Sequence, residues 1–153
     1  MNYWDWAIRV HGRDGVDQAL TALQDAHGQC VAFLLWAAWA ASEGRPLAPV
    51  LLAQGAALAA HWEESATGPL RTVRRVLKAP APPIDDEART ALREQVRTAE
   101  FAAERLLMET LEALTPAPAG APLALGAGMV AAARAWRRRA PDEALEALAA
   151  RLG

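Results

Sequence analysis

Four cations lie close together in the middle of the chain and form the strongest candidate site in the sequence. On a predicted helix they fall within an arc of about 100°, opposite the apolar residues of the same segment. Cations on one helix face can bind phosphate groups or the acidic surface of a partner protein. We call this set the cationic face, and its members are Arg71, Arg74, Arg75 and Lys78.

The cationic face also has a structural interpretation, because acidic residues follow it on the next predicted helix. Ion pairs with Glu94, Glu100 and Glu104 would fix how the two helices cross and would leave few cations for a partner. We do not expect a nucleic-acid partner, since the net charge is −2 and no exposed aromatic residues alternate with the cations. The sequence leaves the partner and the internal pairing open.

His27 and Cys30 have the spacing of a metal-ligand pair, and a thiol with a histidine also suggests a nucleophile. Structural zinc sites show two tight ligand pairs and this chain has one, so we predict no metal site. Cys30 begins the most apolar predicted helix, where burial suppresses thiolate formation. With no phosphate loop, serine elbow or paired-glycine motif present, we predict no catalytic residue and no cofactor, and a non-enzymatic protein is favoured over an enzyme.

The tryptophans divide into core residues and interface candidates. Trp36 and Trp39 lie on the most apolar segment and are predicted to be core. Trp4 and Trp6 are two residues apart on a helix and cannot both face one core. We therefore expect one of them to be exposed or at an interface.

The elements that must position these residues are helices. About a quarter of the residues are Ala and only two are Ile, a composition that favours helix and excludes a sheet protein. We predict an all-α, single-domain bundle of six helices around an apolar central helix. The spacing of apolar residues places these helices at 3–11, 16–27, 30–43, 49–64, from 67–69 to about 78, and from 85–86 to about 114.

The sixth helix is the longest and carries a heptad-like apolar seam. Its predicted seam residues are Leu92, Val96, Ala99, Ala103, Leu106, Thr110 and Leu114. At 1.5 Å per residue the helix would be roughly 45 Å long, so we expect it to bend or to project beyond the bundle.

Residues 116–122 are rich in Pro and Ala and are predicted to link a bundle domain, 1–115, to a two-helix C-terminal appendage, 123–153. The appendage contains a small-residue surface around Gly126–Gly128 and an arginine cluster, Arg137, Arg138 and Arg139, at the end of its first helix. It either docks on the bundle or pairs with a second copy of the chain. The longest apolar run, 31–41, is shorter than the ~20 residues that span a bilayer, so we predict no membrane span. A single cysteine and no signal peptide indicate the cytoplasm.

Several motifs, taken in order, resemble the DUF2390 family of small proteobacterial proteins. They are the segment Leu23-Gln24-Asp25-Ala26-His27-Gly28, an apolar helix with Leu34-Leu35 and Trp39, then Trp62, the pattern Pro69-Leu70-Arg71-x-x-Arg74-Arg75-x-x-Lys78, and Glu100-x-x-Ala103-Glu104-Arg105. The resemblance covers about residues 3 to 114 and implies a bacterial cytosolic helical domain without an assigned activity. It departs at Cys30 and Ala32, where the family more often has an acidic and a polar residue. The matching polar residues suggest a network of Asp25, His27, Glu100, Glu104 and Arg105.

Three hypotheses about function follow from the sequence. The first is a non-enzymatic interaction or adaptor protein that presents the cationic face to an acidic protein partner. The second is a small-molecule-binding protein or enzyme with a pocket between the central helix and the His27–Cys30 turn. The third is a self-assembling structural protein, a homo-oligomer formed through 123–153.

Overall fold

The structure, a computed structural model, describes residues 1–136 and 142–153, and most of these residues form helices. No strand occurs in these two ranges, and the predicted all-α class is confirmed. The described elements are α1 (Tyr3–His11), α2 (Val16–His27), α3 (Val31–Ser42), α4 (Pro49–Trp62), a π-helical turn (Glu63–Thr67), α5 (Gly68–Val76), α6 (Asp86–Leu114), α7 (Leu125–Ala135) and α8 (Asp142–Leu152).

Helix α3 lies at the centre of the bundle, as its composition predicts. Its residues 33–41 are all buried, and α1, α4, α6 and α7 pack around it. Trp36 and Trp39 are fully buried core residues, and their indole N–H groups donate to Thr115 Oγ1 at 2.7 Å and to the Met1 carbonyl at 3.1 Å. None of the helices described is long and apolar enough to cross a membrane, in agreement with the predicted lack of a span.

Small residues allow neighbouring helices to approach α3 closely. A Cβ placed on Gly55 of α4 would lie 2.6 Å from Cζ3 of Trp36. A Cβ on Gly128 of α7 would lie 2.5 Å from the carbonyl oxygen of Ala37. Part of the predicted small-residue surface at Gly126–Gly128 is therefore used for packing within the chain.

Local signals set the ends of the first helices and of the longest one. The Asn2 side chain accepts a hydrogen bond from the Asp5 backbone N–H at 2.8 Å at the start of α1, and Gly28 ends α2 with φ of 60°. Asp85 caps α6 by accepting from the Ala88 N–H at 2.8 Å. The observed bounds of α1 and α2 match the predicted ones, 3–11 and 16–27, which are confirmed. These bounds could be predicted because the caps involve only residues that are neighbours in the sequence.

The fifth helix begins at Gly68, within the predicted range 67–69, but no loop separates it from α4. Thr67 has helical dihedrals (φ −68°, ψ −38°) and makes no side-chain cap, so no capped break separates α4 from α5. Instead the Gly68 N–H donates to the Glu63 carbonyl, five residues back, in the π-helical turn. This wider turn accommodates Pro69, whose ring and missing N–H would break an ordinary α-helix.

The buried face of α6 also differs from the predicted seam. Leu92, Leu106 and Leu114 are 48%, 54% and 40% exposed. Two charged residues, Arg89 and Glu100, are buried on this helix instead. The buried residues of α6 are Arg89, Glu100, Ala103, Leu107, Met108 and Leu111.

Helices α7 and α8 share the hydrophobic core of the preceding helices. Met129, Leu145 and Leu148 are fully buried in it. In the connection before α7, the N–H groups of Ala119 and Gly120 both donate to the Gly44 carbonyl, at 3.0 and 3.2 Å. The division into bundle, linker and appendage stays a prediction. The arginine cluster at 137–139 lies outside the described residues.

The close contact between α4 and α3 generates a stability prediction. We expect Gly55→Ala to lower the free energy of unfolding by about 1–3 kcal/mol, because overpacking against the Trp36 ring outweighs the gain in helix propensity of about 1 kcal/mol. Gly126→Ala is the control, since its Cβ would make an ordinary 3.4 Å contact with Ala149. Urea unfolding of the two variants is the measurement. Equal stabilities would contradict the close packing of α4 on Trp36.

Candidate functional site

Two of the four residues of the cationic face turn inward and pair with α6. Arg71 Nε lies 3.3 Å from Glu100 Oε1. Arg74 donates from Nε to the other oxygen of Glu100 and from Nη2 to Oε1, the latter at 3.3 Å. The Glu100 side chain is only 8% exposed, so burial of this carboxylate depends on the two guanidinium groups.

Further carboxylates surround Arg71. Glu63 Oε1 and Glu104 Oε1 each lie 3.6 Å from its guanidinium nitrogens, and its side chain is 12% exposed. The Gln24 amide, with its oxygen facing the guanidinium, accepts from Arg71 Nη2 at 2.9 Å. We call the charged part of this group the ion-pair cluster, and it consists of Glu63, Arg71, Arg74, Glu100 and Glu104. Three carboxylates and two cations give it a formal charge of −1.

The other members of the cationic face stay at the surface. Arg75 pairs with Asp25 of α2 at 2.8 Å, and both side chains are at least half exposed. Lys78 follows the end of α5 and is exposed. The internal pairing that the sequence leaves open therefore occurs with Glu100 and Glu104, whereas Glu94 pairs with Arg93 and Arg97 on its own helix.

The polar network suggested by the family resemblance divides into separate contacts. Glu100 and Glu104 join the ion-pair cluster, and Asp25 joins Arg75. Arg105 pairs with Glu109 at 2.7 Å and lies over the Trp4 ring, 5.0 Å from its centroid. His27 is half-buried at the end of α2, and in the part of the chain that the structure describes no hydrogen bond connects it to these residues.

A cavity of about 560 Å³ lies beside the ion-pair cluster, where α1, α2, α3, α5 and α6 meet. We refer to it as the cavity. Apolar side chains form most of its wall, and a smaller number of polar groups point into it. The lining includes Trp4, Ile8, Leu35, Phe101, Leu107 and Met108 on the apolar side and Gln24, Glu63, Arg71 and Glu104 on the polar side.

Aromatic and aliphatic groups form the rim of the cavity. Trp4 and Phe101 meet edge to face, with ring centroids 5.1 Å apart. Phe101 is 55% exposed and Ile8 is 53% exposed, although both are large apolar residues. Trp6 is buried in the core and Trp4 is half-buried against the same core, so neither is exposed, and an interface at one of them stays a prediction.

Carboxylates outnumber guanidinium groups in the lining of the cavity. Glu104 is half-buried, and its burial raises the pKa of the carboxyl; Arg71 lowers this pKa and Glu100 raises it further. At the α1–α2 side of the cavity, His11 Nδ1 lies 2.9 Å from Asp17 Oδ1. The polar side of the cavity therefore contains more carboxylate than guanidinium charge.

Cys30 also lines the cavity, but as an unreactive thiol. Its burial raises the pKa to about 12, so the thiolate is absent at neutral pH. Three side chains of the types that bind metals do not converge anywhere in 1–136 or 142–153. A thiol in this state is a poor nucleophile at neutral pH.

Sequence reasoning finds the charged half of this site and misses the apolar half. Arg71, Glu104 and Cys30 are among the candidates that the sequence offers, whereas for Trp4 and Trp6 it predicts only that one of them is exposed or at an interface, and it does not distinguish Phe101. The available signal for Phe101 was an aromatic residue among charged ones on α6, three residues before Glu104 and therefore on the same face.

The fold and the site define a class: a helical bundle with a charged cluster beside a largely apolar cavity. A family model for proteins of unknown function, DUF2390, matches residues 2–111, which include every residue of this site. The chain therefore belongs to the DUF2390 family, and the predicted resemblance is confirmed. Searches among curated proteins and among solved structures found no match.

The burial of Glu100 generates a second stability prediction. We expect Glu100→Gln to lower the free energy of unfolding by about 3 kcal/mol, because Arg74 loses the carboxylate with which it pairs in a partly buried place, whereas Arg71 keeps Glu63 and Glu104. Glu94→Gln is the matched control on the same helix. Its side chain is 51% exposed, so we expect a change of about 0.5 kcal/mol or less in chemical denaturation. Similar losses for both variants would contradict the role assigned to Glu100.

The raised pKa of Cys30 predicts slow alkylation of the native protein. With a pKa of about 12 the thiolate fraction at pH 8 is about one in ten thousand, compared with about a quarter for an ordinary thiol. Deprotonation rises only as the pH approaches 12, so iodoacetamide at pH 8 should modify the native chain far more slowly than the chain unfolded in urea. Mass spectrometry measures both rates. Rapid native modification would identify Cys30 as an activated thiol and would restore the enzyme hypothesis.

Proposed function

We propose that the protein binds a small organic molecule in the cavity. The observation that carries this proposal is the cavity itself, since its volume of about 560 Å³ is in the range of ligand sites, about 300–1,000 Å³. Ligand sites combine mostly apolar walls with a few polar groups that orient the ligand, and the cavity has this composition. Non-enzymatic binding is favoured over catalysis because the thiol of Cys30, which lines the cavity, is not ionised at neutral pH.

The internal pairing of the cationic face favours ligand binding over the adaptor hypothesis. An acidic protein partner would contact the exposed members of the cationic face, and these are Lys78 and Arg75, the second already paired with Asp25. Arg71 and Arg74 are engaged with Glu100. Self-assembly through the C-terminal helices is also favoured less, because Gly128 already packs against Ala37 within the chain.

The proposed location is the bacterial cytoplasm. The support for it is the state of the one cysteine, which is a free, buried thiol as is usual in a reducing compartment. A role in binding a metabolite is compatible with that location.

Titration with a neutral aromatic probe, N-phenyl-1-naphthylamine, tests the proposed function. Thr21 is exposed on α2 and lines the cavity, so Thr21→Trp should fill the space without disturbing the core. We expect it to weaken probe binding about tenfold or more by calorimetry, since the indole occupies volume that the probe needs.

Gln18→Trp supplies the control for this titration. Gln18 is exposed on the same helix but does not line the cavity, so the added indole should leave the affinity unchanged. No binding to the unmodified protein, or an equal effect of the two substitutions, would contradict the proposal.

A further inference from the structure

The charges around the cavity indicate what kind of ligand it takes. Its lining contains the carboxylates of Asp17, Glu63 and Glu104 and the guanidinium of Arg71. Arg71 is in addition paired with Glu100, which lies behind it. A ligand that enters the cavity therefore meets the carboxylates of Asp17 and Glu104, whereas the guanidinium of Arg71 is already engaged.

Arg71 is not available to an anionic ligand. Its guanidinium already contacts Glu63, Glu100 and Glu104 within 3.6 Å, and Gln24 accepts from the same group. An anion would have to displace one of these carboxylates and then lie next to the others. Because like charges within a few ångströms in a partly buried site repel strongly, this exchange is unfavourable.

Glu104 is the carboxylate best placed to receive a cation. Its side chain is 41% exposed, compared with 8% for Glu100, and its contact with Arg71 is the longer one at 3.6 Å. A carboxylate has about four acceptor positions, so acceptor capacity remains beyond this contact. The raised pKa of Glu104 agrees with a carboxylate that is buried without full compensation.

The apolar wall is next to this carboxylate. Phe101 precedes Glu104 by three residues and Met108 follows it by four, so all three lie on one face of α6, and all three line the cavity. Trp4 contacts Phe101 edge to face and already has a guanidinium, that of Arg105, against its ring. Aromatic faces near a carboxylate favour an organic cation over a neutral or anionic molecule.

We propose that the ligand is an organic amine with an apolar body, whose ammonium group binds the Glu104 carboxylate while its apolar part packs against Phe101 and Trp4. This inference rests on the proposed function, because it concerns the ligand of the same cavity. It assigns the ligand class and names the anchoring residue.

Three naphthalene compounds of similar size and different charge test the ligand class. They are 2-(1-naphthyl)ethylammonium, the neutral 2-(1-naphthyl)ethanol and the anionic 1-naphthylacetate, each titrated into the full chain by calorimetry. We expect the ammonium compound to bind about tenfold more tightly than the alcohol, and the carboxylate to bind most weakly. Equal affinities, or a preference for the anion, would overturn the amine assignment and leave the proposed function intact. Binding of none of the three would overturn both.

Substitution of Glu104 tests the anchor. Glu104→Gln keeps the size of the side chain and removes its charge, so the ammonium compound should lose its roughly tenfold advantage while the alcohol binds as before. Glu94→Gln, on the same helix and away from the cavity, should retain the advantage. The advantage persisting in Glu104→Gln would overturn the role of Glu104. Titration of the unmodified protein decides the ligand class even if this variant does not fold.

Discussion

The position of α5 on α6 depends on the burial of one carboxylate. Glu100 is almost completely removed from water, and an isolated buried charge costs several kcal/mol. Arg71 and Arg74 offset this cost only if α5 presents both of them to the same face of α6. That requirement orients α6 around its own axis, and it explains why Leu92 and Leu106 are exposed while a charged residue faces inward.

The ion-pair cluster also explains why the neighbouring space stays open. Around α3, small residues such as Gly55 and Gly128 let helices approach until their atoms touch. Beside the cluster the helices cannot approach in this way, because Arg71 and Glu104 must keep contact with polar partners and with water. Close packing on one side of α3 and a charged cluster on the other therefore leave a cavity between α1, α2 and α6.

The sequence predicts well those features that depend on neighbouring residues, such as helix ends and the core helix. It does not predict features that depend on residues far apart in the chain, such as the orientation of α6 and the cavity. The ends of α1 and α2 follow from Gly28 and neighbouring residues, and the apolar character of α3 identifies the core without any knowledge of its neighbours. The orientation of α6 depends on Arg71 and Arg74, which come from another helix, so its own pattern could not show which face is buried. The cavity has contributions from five helices, and no spacing in the sequence records how Trp4 and Phe101 meet.

The composition of the cluster separates a structural role from a binding role. Holding α5 against α6 requires that Glu100 be compensated, and Arg71 with Arg74 already achieves this with one positive charge to spare. One additional carboxylate would balance that charge, yet both Glu63 and Glu104 lie against Arg71. Of the two, Glu104 lies beside Phe101 and Met108 on the cavity wall, and its side chain is 41% exposed. A positively charged ligand group would therefore reach this carboxylate from the cavity without displacing Arg71, so the proposed binding role adds to the structural role of the cluster and does not compete with it.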